Sequence, residues 1–186
     1  VPTDRSWKVE QTADAVTWTS AHGRVRLVKS PWHFEFYDAA GRLLTRTQNA
    51  GEPATYFTPI PFSFVRRASD LARMTAATFE LQHDEKIFGC GESFTRLDKR
   101  GQRVHAWTRD GMGVQNEFMY KPIPFFLSSR GYGMFVHTSA PVTFDFGKTF
   151  DSHNAIYTGD ENLDLFVFLG EPKEILSEYT ALTGRS

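Results

Sequence analysis

The chain has 186 residues, of which 40% are hydrophobic and 15% aromatic, and its formal net charge is −1. A chain of this length suits one domain with a core of its own. Neither sign of charge forms a block that could contact nucleic acid, and no apolar run approaches the ~18 residues that a membrane-spanning helix needs. We therefore expect neither nucleic acid nor a membrane as a partner.

The first half of the chain alternates apolar and polar residues in the manner of strands. It predicts strands at 24–28, 32–36 and 42–47, the last two joined by a turn at 38–41. Trp32, Phe34 and Phe36 should share one face, because alternate side chains of a strand point the same way. Prolines interrupt residues 48–74, where we expect short strands whose aromatic residues anchor to the core, namely Tyr56, Phe57, Phe62 and Phe64.

The second half predicts further strands at 75–81, 134–137, 142–146 and 163–169. The segment 163–169 is apolar on both faces apart from Asp164, so it should lie centrally in a sheet. Short strands with turn signals about every 8–12 residues are typical of an antiparallel β-sandwich. The predicted fold class is all-β.

The end of the chain is predicted to be a short connector helix. Pro172 suits its first position and Gly184 supplies a stop. Four apolar residues fall on one stripe of this helix and should form its buried face. They are Ile175, Leu176, Tyr179 and Leu182.

The segment 88–132 concentrates glycine, proline, aromatic and charged residues, which is typical of a shaped functional loop on a rigid scaffold. Its candidate carboxylates are Glu92, Asp110 and Glu117. Hydrolysis of a glycosidic bond needs two such groups, one acting as acid and one as nucleophile or base. Glu92 could instead tie the loop down by accepting hydrogen bonds from backbone N–H groups.

Asp110 is the candidate for direct contact with a sugar. Gly111 and Gly113 after it indicate an exposed, tightly turned tip, where a short carboxylate could accept two sugar hydroxyls. Trp107 offers a flat apolar face of the kind on which sugar rings stack. The alternative is a solvated turn aspartate with no ligand.

Cys90 is the only cysteine, which excludes an internal disulfide and a four-cysteine zinc site. Beside aromatic residues it fits a small buried apolar group better than a nucleophile. The histidines contain no His-x-x-x-His pair, and we expect neither a metal nor another cofactor. His105 and His137 could be the acid and base of a sugar-epimerising site, but surface or strand positions suit them better.

The segment 88–132 resembles the N-terminal domain of glycoside hydrolase family 31, which includes α-glucosidases and α-xylosidases. The shared motifs are Gly-x-Gly-Glu-x-Phe at 89–94, Gly-Gln at 101–102, Trp-x-Arg-Asp-Gly at 107–111, Tyr-Lys-x-Ile-Pro-Phe at 120–125 and Arg-Gly-Tyr-Gly at 130–133. The resemblance implies a galactose-mutarotase-like β-sandwich at 1–170 and a helical connector at 171–186 that leads to a (β/α)₈ barrel outside this chain.

In that family both catalytic aspartates lie in the barrel, so the resemblance implies that this chain has no catalytic residue. It implies that the partners are the barrel of the same parent chain and, through the parent, an α-linked oligosaccharide or glycoside. Asp110 occupies the position of the aspartate that contacts substrate, and Trp107 and Arg109 match the same motif. Cys90 and Arg100 depart from the family pattern, while the run at 120–125 is closer to the α-xylosidase-like members.

Two alternatives remain open at this stage. The chain could be an independent carbohydrate-binding module, or an aldose mutarotase, whose fold is related. The first residues do not resemble a signal peptide, yet a cytoplasmic parent and a periplasmic or secreted bacterial parent both fit. A domain separated from its barrel should also expose an apolar patch.

Overall fold

The computed structural model describes residues 6–48, 60–66, 68–111 and 120–185. Within them the strands form three antiparallel sheets. Sheet 1, in the order β1-β2-β3-β4-β5, consists of β1 (Lys8–Gln11), β2 (Ala15–Thr19), β3 (Gly23–Lys29), β4 (Trp32–Asp38) and β5 (Leu43–Arg46). Sheet 2, in the order β6-β7-β13-β12-β9, consists of β6 (Phe62–Arg66), β7 (Arg73–Glu80), β13 (His153–Thr158), β12 (Val142–Phe146) and β9 (Arg103–Ala106). Sheet 3, in the order β14-β11-β10-β8, consists of β14 (Leu165–Leu169), β11 (Tyr132–Val136), β10 (Lys121–Ser128) and β8 (Ile87–Glu92), and the helix α1 spans Pro172–Thr183.

The predicted all-β antiparallel sandwich is confirmed, and so is the predicted hairpin of β4 and β5. Trp32, Phe34 and Phe36 lie on one face of β4, with successive ring centroids 5.3 and 6.4 Å apart. The turn into β5 closes because the Asp38 carboxylate accepts the backbone N–H of Arg42 at 2.8 Å. These contacts are local, which is why the sequence pattern was sufficient to predict them.

The main core fills the space between sheets 2 and 3, and sheet 1 extends it. Phe126 of sheet 3 meets Phe144 and Phe146 of sheet 2 edge to face, with centroids 5.6 and 5.0 Å apart. Phe36 of sheet 1 reaches Phe79 of sheet 2 at 6.3 Å. Such aromatic contacts add to the burial of apolar area and make the three sheets one packed body.

The prediction of a central position for the segment 163–169 is wrong. Among the described strands, β14 pairs with β11 alone and forms an edge of sheet 3. Both of its faces are nevertheless covered, because Val167 and Leu169 pack on the main core while Phe166 and Phe168 pack under α1. An apolar pattern on both faces of a strand therefore indicates that both faces are covered. It does not indicate that the strand lies in the middle of its sheet.

The helix α1 begins at Pro172 and ends before Gly184, as predicted. The Glu171 side chain accepts a backbone N–H of the first turn while Glu174 accepts the N–H of Glu171, which satisfies donors that helix starts leave free. Ile175 is buried and the Tyr179 ring stacks on Phe125, with centroids 4.1 Å apart. The predicted stripe is wrong in one member, because Leu176 points away from sheet 3 and is 43% exposed.

The expected anchoring of aromatic residues in the proline-rich segment is only partly found. Phe62 rests edge to face on Trp32 and Phe34, with centroids 5.8 and 6.3 Å away. Phe64 is 63% exposed beneath the guanidinium of Arg73, so its predicted place in the core is wrong. Tyr56 and Phe57 lie outside the described residues.

No helix among the described residues is long and apolar enough to cross a membrane.

Candidate functional site

A β-bulge shapes the start of the segment 88–132. Gly89, Cys90 and Gly91 all have positive φ, and the pairing of β8 with β10 shifts register at this point. A Cβ on Gly91 would lie 2.1 Å from the carbonyl oxygen of Lys121, and one on Gly89 would lie 2.8 Å from that of Phe125. The glycines are therefore required by close backbone approach as well as by φ. We call the end of sheet 3 formed by Gly91 and Lys121 the bulge end.

Cys90 points from the bulge into the main core and is fully buried. Burial raises the pKa of its thiol to about 12 and outweighs the opposing effect of the Lys99 charge. The thiol therefore stays protonated near neutral pH and is a poor nucleophile. The interpretation of Cys90 as a small buried apolar group is confirmed.

The turn at 98–102 fixes the segment to the sandwich. The Asp98 carboxylate accepts the backbone N–H groups of Ile87 and Arg100 at 3.1 and 3.0 Å. The Arg100 guanidinium donates to the carbonyl oxygens of Gln82 and Asp151, at 2.7 and 2.9 Å. Arg100, which departs from the family pattern, thus has a structural role in closing this turn.

The Arg-Gly-Tyr motif at 130–132 is also structural, a role that the sequence analysis did not assign. The Arg130 guanidinium donates to the carbonyl oxygens of Leu43 and Leu44, at 2.8 and 2.9 Å, and so ties sheet 3 to sheet 1. The Tyr132 hydroxyl is fully buried and donates to Glu85 at 2.6 Å. The available signal in the sequence was a charged residue and a phenolic residue on either side of a turn glycine. The partners of Arg130 and Tyr132, however, lie more than 40 residues away in sequence.

Glu92 lies at the bulge end, where the structure shows it in an ion pair with Lys121, 3.3 Å between the nitrogen and the oxygen. Their side chains are 73% and 75% exposed. The carboxylate that accepts backbone N–H groups of the loop is instead that of Asp98. The predicted role of Glu92 in tying down the loop is therefore taken by Asp98.

Asp110 lies on the surface close to the start of β10, although it belongs to the segment that follows β9. The hydroxyl of Tyr120 donates to Asp110 Oδ1 and accepts the backbone N–H of Gly111 at 3.1 Å. Trp107, three residues before Asp110, is 47% exposed, and Arg109 is exposed as well. The exposed carboxylate, ring face and guanidinium could together bind a polyhydroxylated ligand. Gly113 and Glu117 lie outside the described residues.

The two candidate histidines occupy different sheets and have different partners. His105 lies on β9 with its Nδ1 3.0 Å from the Thr143 hydroxyl. His137 follows β11 and its Nδ1 is 2.8 Å from a carboxylate oxygen of Asp164. Their surface positions at strands agree with the expectation. No group of His, Cys, Asp and Glu suited to a metal ion occurs among the residues that the structure describes.

A cavity of about 440 Å³ lies between sheet 1, β14 and α1. The indole of Trp7 and the side chains of His22, Glu174 and Glu178 line it, together with apolar residues of the sheets. An adjoining apolar recess of about 460 Å³ shares Trp7. Ring faces beside carboxylates make this cavity a second place where a sugar could bind.

Comparison with known proteins points to one family. Residues 1–145 match the model described as "Glycosyl hydrolase 31 N-terminal galactose mutarotase-like domain". The chain is 46% identical to the alpha-xylosidase XylQ of Lactiplantibacillus pentosus over 102 residues, which are 54% of this chain and 13% of that protein. It is 31% identical to alpha-glucosidase 2 of Bacillus thermoamyloliquefaciens over 185 residues, covering 95% of this chain and 21% of that protein.

Solved structures give the same result. A GH31 dextranase of Flavobacterium johnsoniae, complexed with glucose, superposes with a TM-score of 0.77 at 26% identity, over 96% of this chain and 21% of that one. A cycloalternan-forming enzyme of Listeria monocytogenes gives a TM-score of 0.82 over 98% of this chain and 17% of that one, and at 23% identity it supports the fold alone. The chain therefore spans about a fifth or less of the length of the curated relatives described above.

Proposed function

Since this chain belongs to the family of glycosyl hydrolase 31 N-terminal galactose mutarotase-like domains, we propose that it forms one wall of the sugar pocket of a retaining α-glycosidase. In this proposal residues 1–170 are the sandwich, and residues 171–186 connect it to a (β/α)₈ barrel that carries both catalytic carboxylates. The substrate is an α-linked glycoside or oligosaccharide, and an α-xyloside suits the motif at 120–125. Asp110, Arg109 and Trp107 are the proposed substrate contacts.

The direction of α1 is the observation that carries this proposal. Ile175 sits at Gly133, where an added Cβ would lie 2.9 Å from its side chain, and Gly133 pairs with Leu127. One turn later Tyr179 stacks on Phe125. The helix therefore runs antiparallel to β10, and the chain leaves it at the bulge end of sheet 3.

The surface at the bulge end is suited to contact with a following domain. Several large apolar side chains around it are exposed, as expected for a face that is covered in a longer protein. They are Phe94, Tyr120 and Ile123. A barrel that follows α1 would thus meet this surface and bring its mouth next to Asp110.

The test of the proposed pocket uses the full-length parent enzyme. We expect Asp110→Ala to lower kcat/KM by the equivalent of about 1–3 kcal/mol of transition-state stabilisation, because hydrogen bonds to a polar substrate are lost. Asp84→Ala is a matched control, since Asp84 is an exposed turn aspartate before β8, at the opposite end of that strand. An unchanged kcat/KM in Asp110→Ala would remove Asp110 from the pocket.

The isolated chain should not hydrolyse aryl α-glycosides, because the proposed nucleophile and acid lie elsewhere in the parent. Release of nitrophenol by purified chain, compared with a mock purification, measures this. Turnover at an enzyme-like rate by the chain alone would overturn the proposal.

The cavity beside Trp7 favours a second candidate function, independent carbohydrate binding. In that case calorimetric titration of the isolated chain with an oligosaccharide should give millimolar or tighter binding that Trp7→Ala abolishes and Asp110→Ala leaves unchanged. A flat titration would count against a binding module. The proposed pocket wall does not depend on the outcome, because it acts only together with the barrel.

A further inference from the structure

We infer that Tyr120 is a positioning residue that holds the Asp110 carboxylate in place for substrate. This inference rests on the proposed function, which makes Asp110 a substrate contact. It assigns to Tyr120 a role that depends on its hydroxyl and not on its ring.

The geometry around the Tyr120 hydroxyl carries the inference. A phenolic hydroxyl has one proton to donate and lone pairs to accept, and both are used here. It donates to Asp110 Oδ1 and accepts the N–H of Gly111 at 3.1 Å. The carboxylate is thus fixed relative to the backbone of the next residue. In this inference the bond to Oδ1 fixes the carboxylate, and Oδ2 is the oxygen that accepts a hydrogen bond from a sugar hydroxyl.

Tyr120 is itself well placed to act as an anchor. It directly precedes β10, whose first residue, Lys121, pairs with Glu92 across the bulge. The bonds to Asp110 and Gly111 span ten and nine residues of sequence, so they fix the backbone at Asp110 and Gly111 beside the start of β10. A carboxylate that is held in place before substrate arrives reduces the entropy cost of binding.

The hydrogen bonds of the Tyr120 hydroxyl are more exposed to water in the isolated chain than they would be in an enclosed pocket. Tyr120 is 61% exposed here, and water competes for its hydroxyl. In a pocket from which water is excluded the same bonds strengthen. The hydrogen bond to Asp110 already raises the pKa of the Tyr120 phenol, with a smaller contribution from desolvation.

The first test is kinetic and uses the full-length enzyme. Tyr120→Phe should lower kcat/KM by about 3- to 10-fold, the scale of one lost hydrogen bond, and in an Asp110→Ala background it should have no further effect. Tyr157→Phe is the matched control, because it removes a hydroxyl for which no hydrogen bond is found among the described residues. Equal losses from Tyr120→Phe in both backgrounds would overturn the positioning role.

The second test is independent of activity and uses the isolated chain. Tyr120→Phe should speed amide hydrogen exchange at Gly111 at least threefold, and Asp110→Asn should lower the pKa of Tyr120 in an NMR titration. If Tyr120→Phe leaves both Gly111 exchange and kcat/KM unchanged while Asp110→Ala lowers kcat/KM, the inference fails and the proposed function stands. If Asp110→Ala leaves kcat/KM unchanged, the proposed function fails and the positioning role fails with it, even where the exchange data show the bonds.

Discussion

The residues of the family motifs lie in two regions, one buried and one exposed, which differ in the contacts that their side chains make. In the buried region Arg130 donates to backbone carbonyl oxygens, and Tyr132 donates to Glu85, a residue outside the motifs. At the surface, Asp110 and Trp107 are exposed, and among the described residues the one side chain found to hydrogen-bond to the Asp110 carboxylate is that of Tyr120. The comparison teaches that a shared motif does not define one role. Residues with buried partners belong to the stability of the domain, and exposed ones are candidates for contacts beyond it.

The largest loss of stability is expected on substitution of Glu85, the buried partner of Tyr132, which is 1% exposed. Its carboxylate accepts hydrogen bonds from the hydroxyls of Tyr132 and Ser128 and from the backbone N–H of Gln82. Glu85→Ala would leave these buried donors unpaired, and we expect the free energy of unfolding in urea to fall by about 3–5 kcal/mol. Glu10→Ala on the exposed strand β1 is the control and should change little. A loss below ~1 kcal/mol would contradict the buried network.

The next largest loss of stability is expected on substitution of Gly91 in the β-bulge. Gly91→Ala places a Cβ against the carbonyl of Lys121 at positive φ, and we expect it to lower the free energy of unfolding by about 2–4 kcal/mol. Gly41→Ala is the control that separates the cost of a steric clash from the cost of positive φ. Gly41 has φ +84, but no atom lies within 4 Å of an added Cβ. Its loss should be about 1 kcal/mol. Equal losses at both glycines would show that close approach has no role.

The sequence was sufficient wherever structure depends on neighbours in the chain. The face of β4, the turn at Asp38 and the limits of α1 at Pro172 and Gly184 all follow from local rules. The edge position of β14 and the exposure of Phe64 could not be predicted in this way. They depend on which sheet or helix covers a face, and that is decided by segments far away in sequence.

The same limit applies to the candidate site. Asp110 could be picked out because glycine and tryptophan around it indicate an exposed turn. Its link to Tyr120 could not, since ten residues separate them and only the folded chain brings them together. Likewise Asp98, and not the more conspicuous Glu92, accepts the backbone bonds of the loop, because the path of the backbone decides which carboxylate the N–H groups face.

Substitution of Asp145 is expected to cause a smaller loss of stability, and this loss should depend on pH. Burial raises the pKa of this carboxyl, but hydrogen bonds from Thr149, Arg103 and the Lys148 N–H outweigh it and hold the pKa below its ordinary value. A lowered pKa in the folded state stabilises the protein above the unfolded-state pKa, and this stabilisation is lost as pH falls through the folded-state value. Asp145→Asn should therefore reduce the free energy of unfolding by about 1–2 kcal/mol at pH 7.

The difference between Asp145→Asn and the parent chain should narrow below about pH 4, where the carboxyl of the unfolded chain begins to take up its proton while the native carboxylate is still ionised. Urea unfolding at pH 7, 5 and 3 measures it. Asp84→Asn, at an exposed turn, should match the parent chain at all three values. A difference that widened on acidification would have the wrong sign for the hydrogen bonds described.

The smallest effect is expected at Glu92, the exposed motif carboxylate that could have served as an acid. Its ion pair with Lys121 is open to water, so Glu92→Gln should change the free energy of unfolding by no more than about 0.5 kcal/mol. A general acid contributes roughly 10²- to 10⁴-fold to rate, so the same variant in the full-length enzyme separates the two roles. We expect kcat to stay within about threefold, because in the proposed function both carboxylates that the reaction needs are supplied by the barrel. A hundredfold loss of kcat would make Glu92 part of the chemistry and would overturn the proposal that both catalytic carboxylates lie in the barrel.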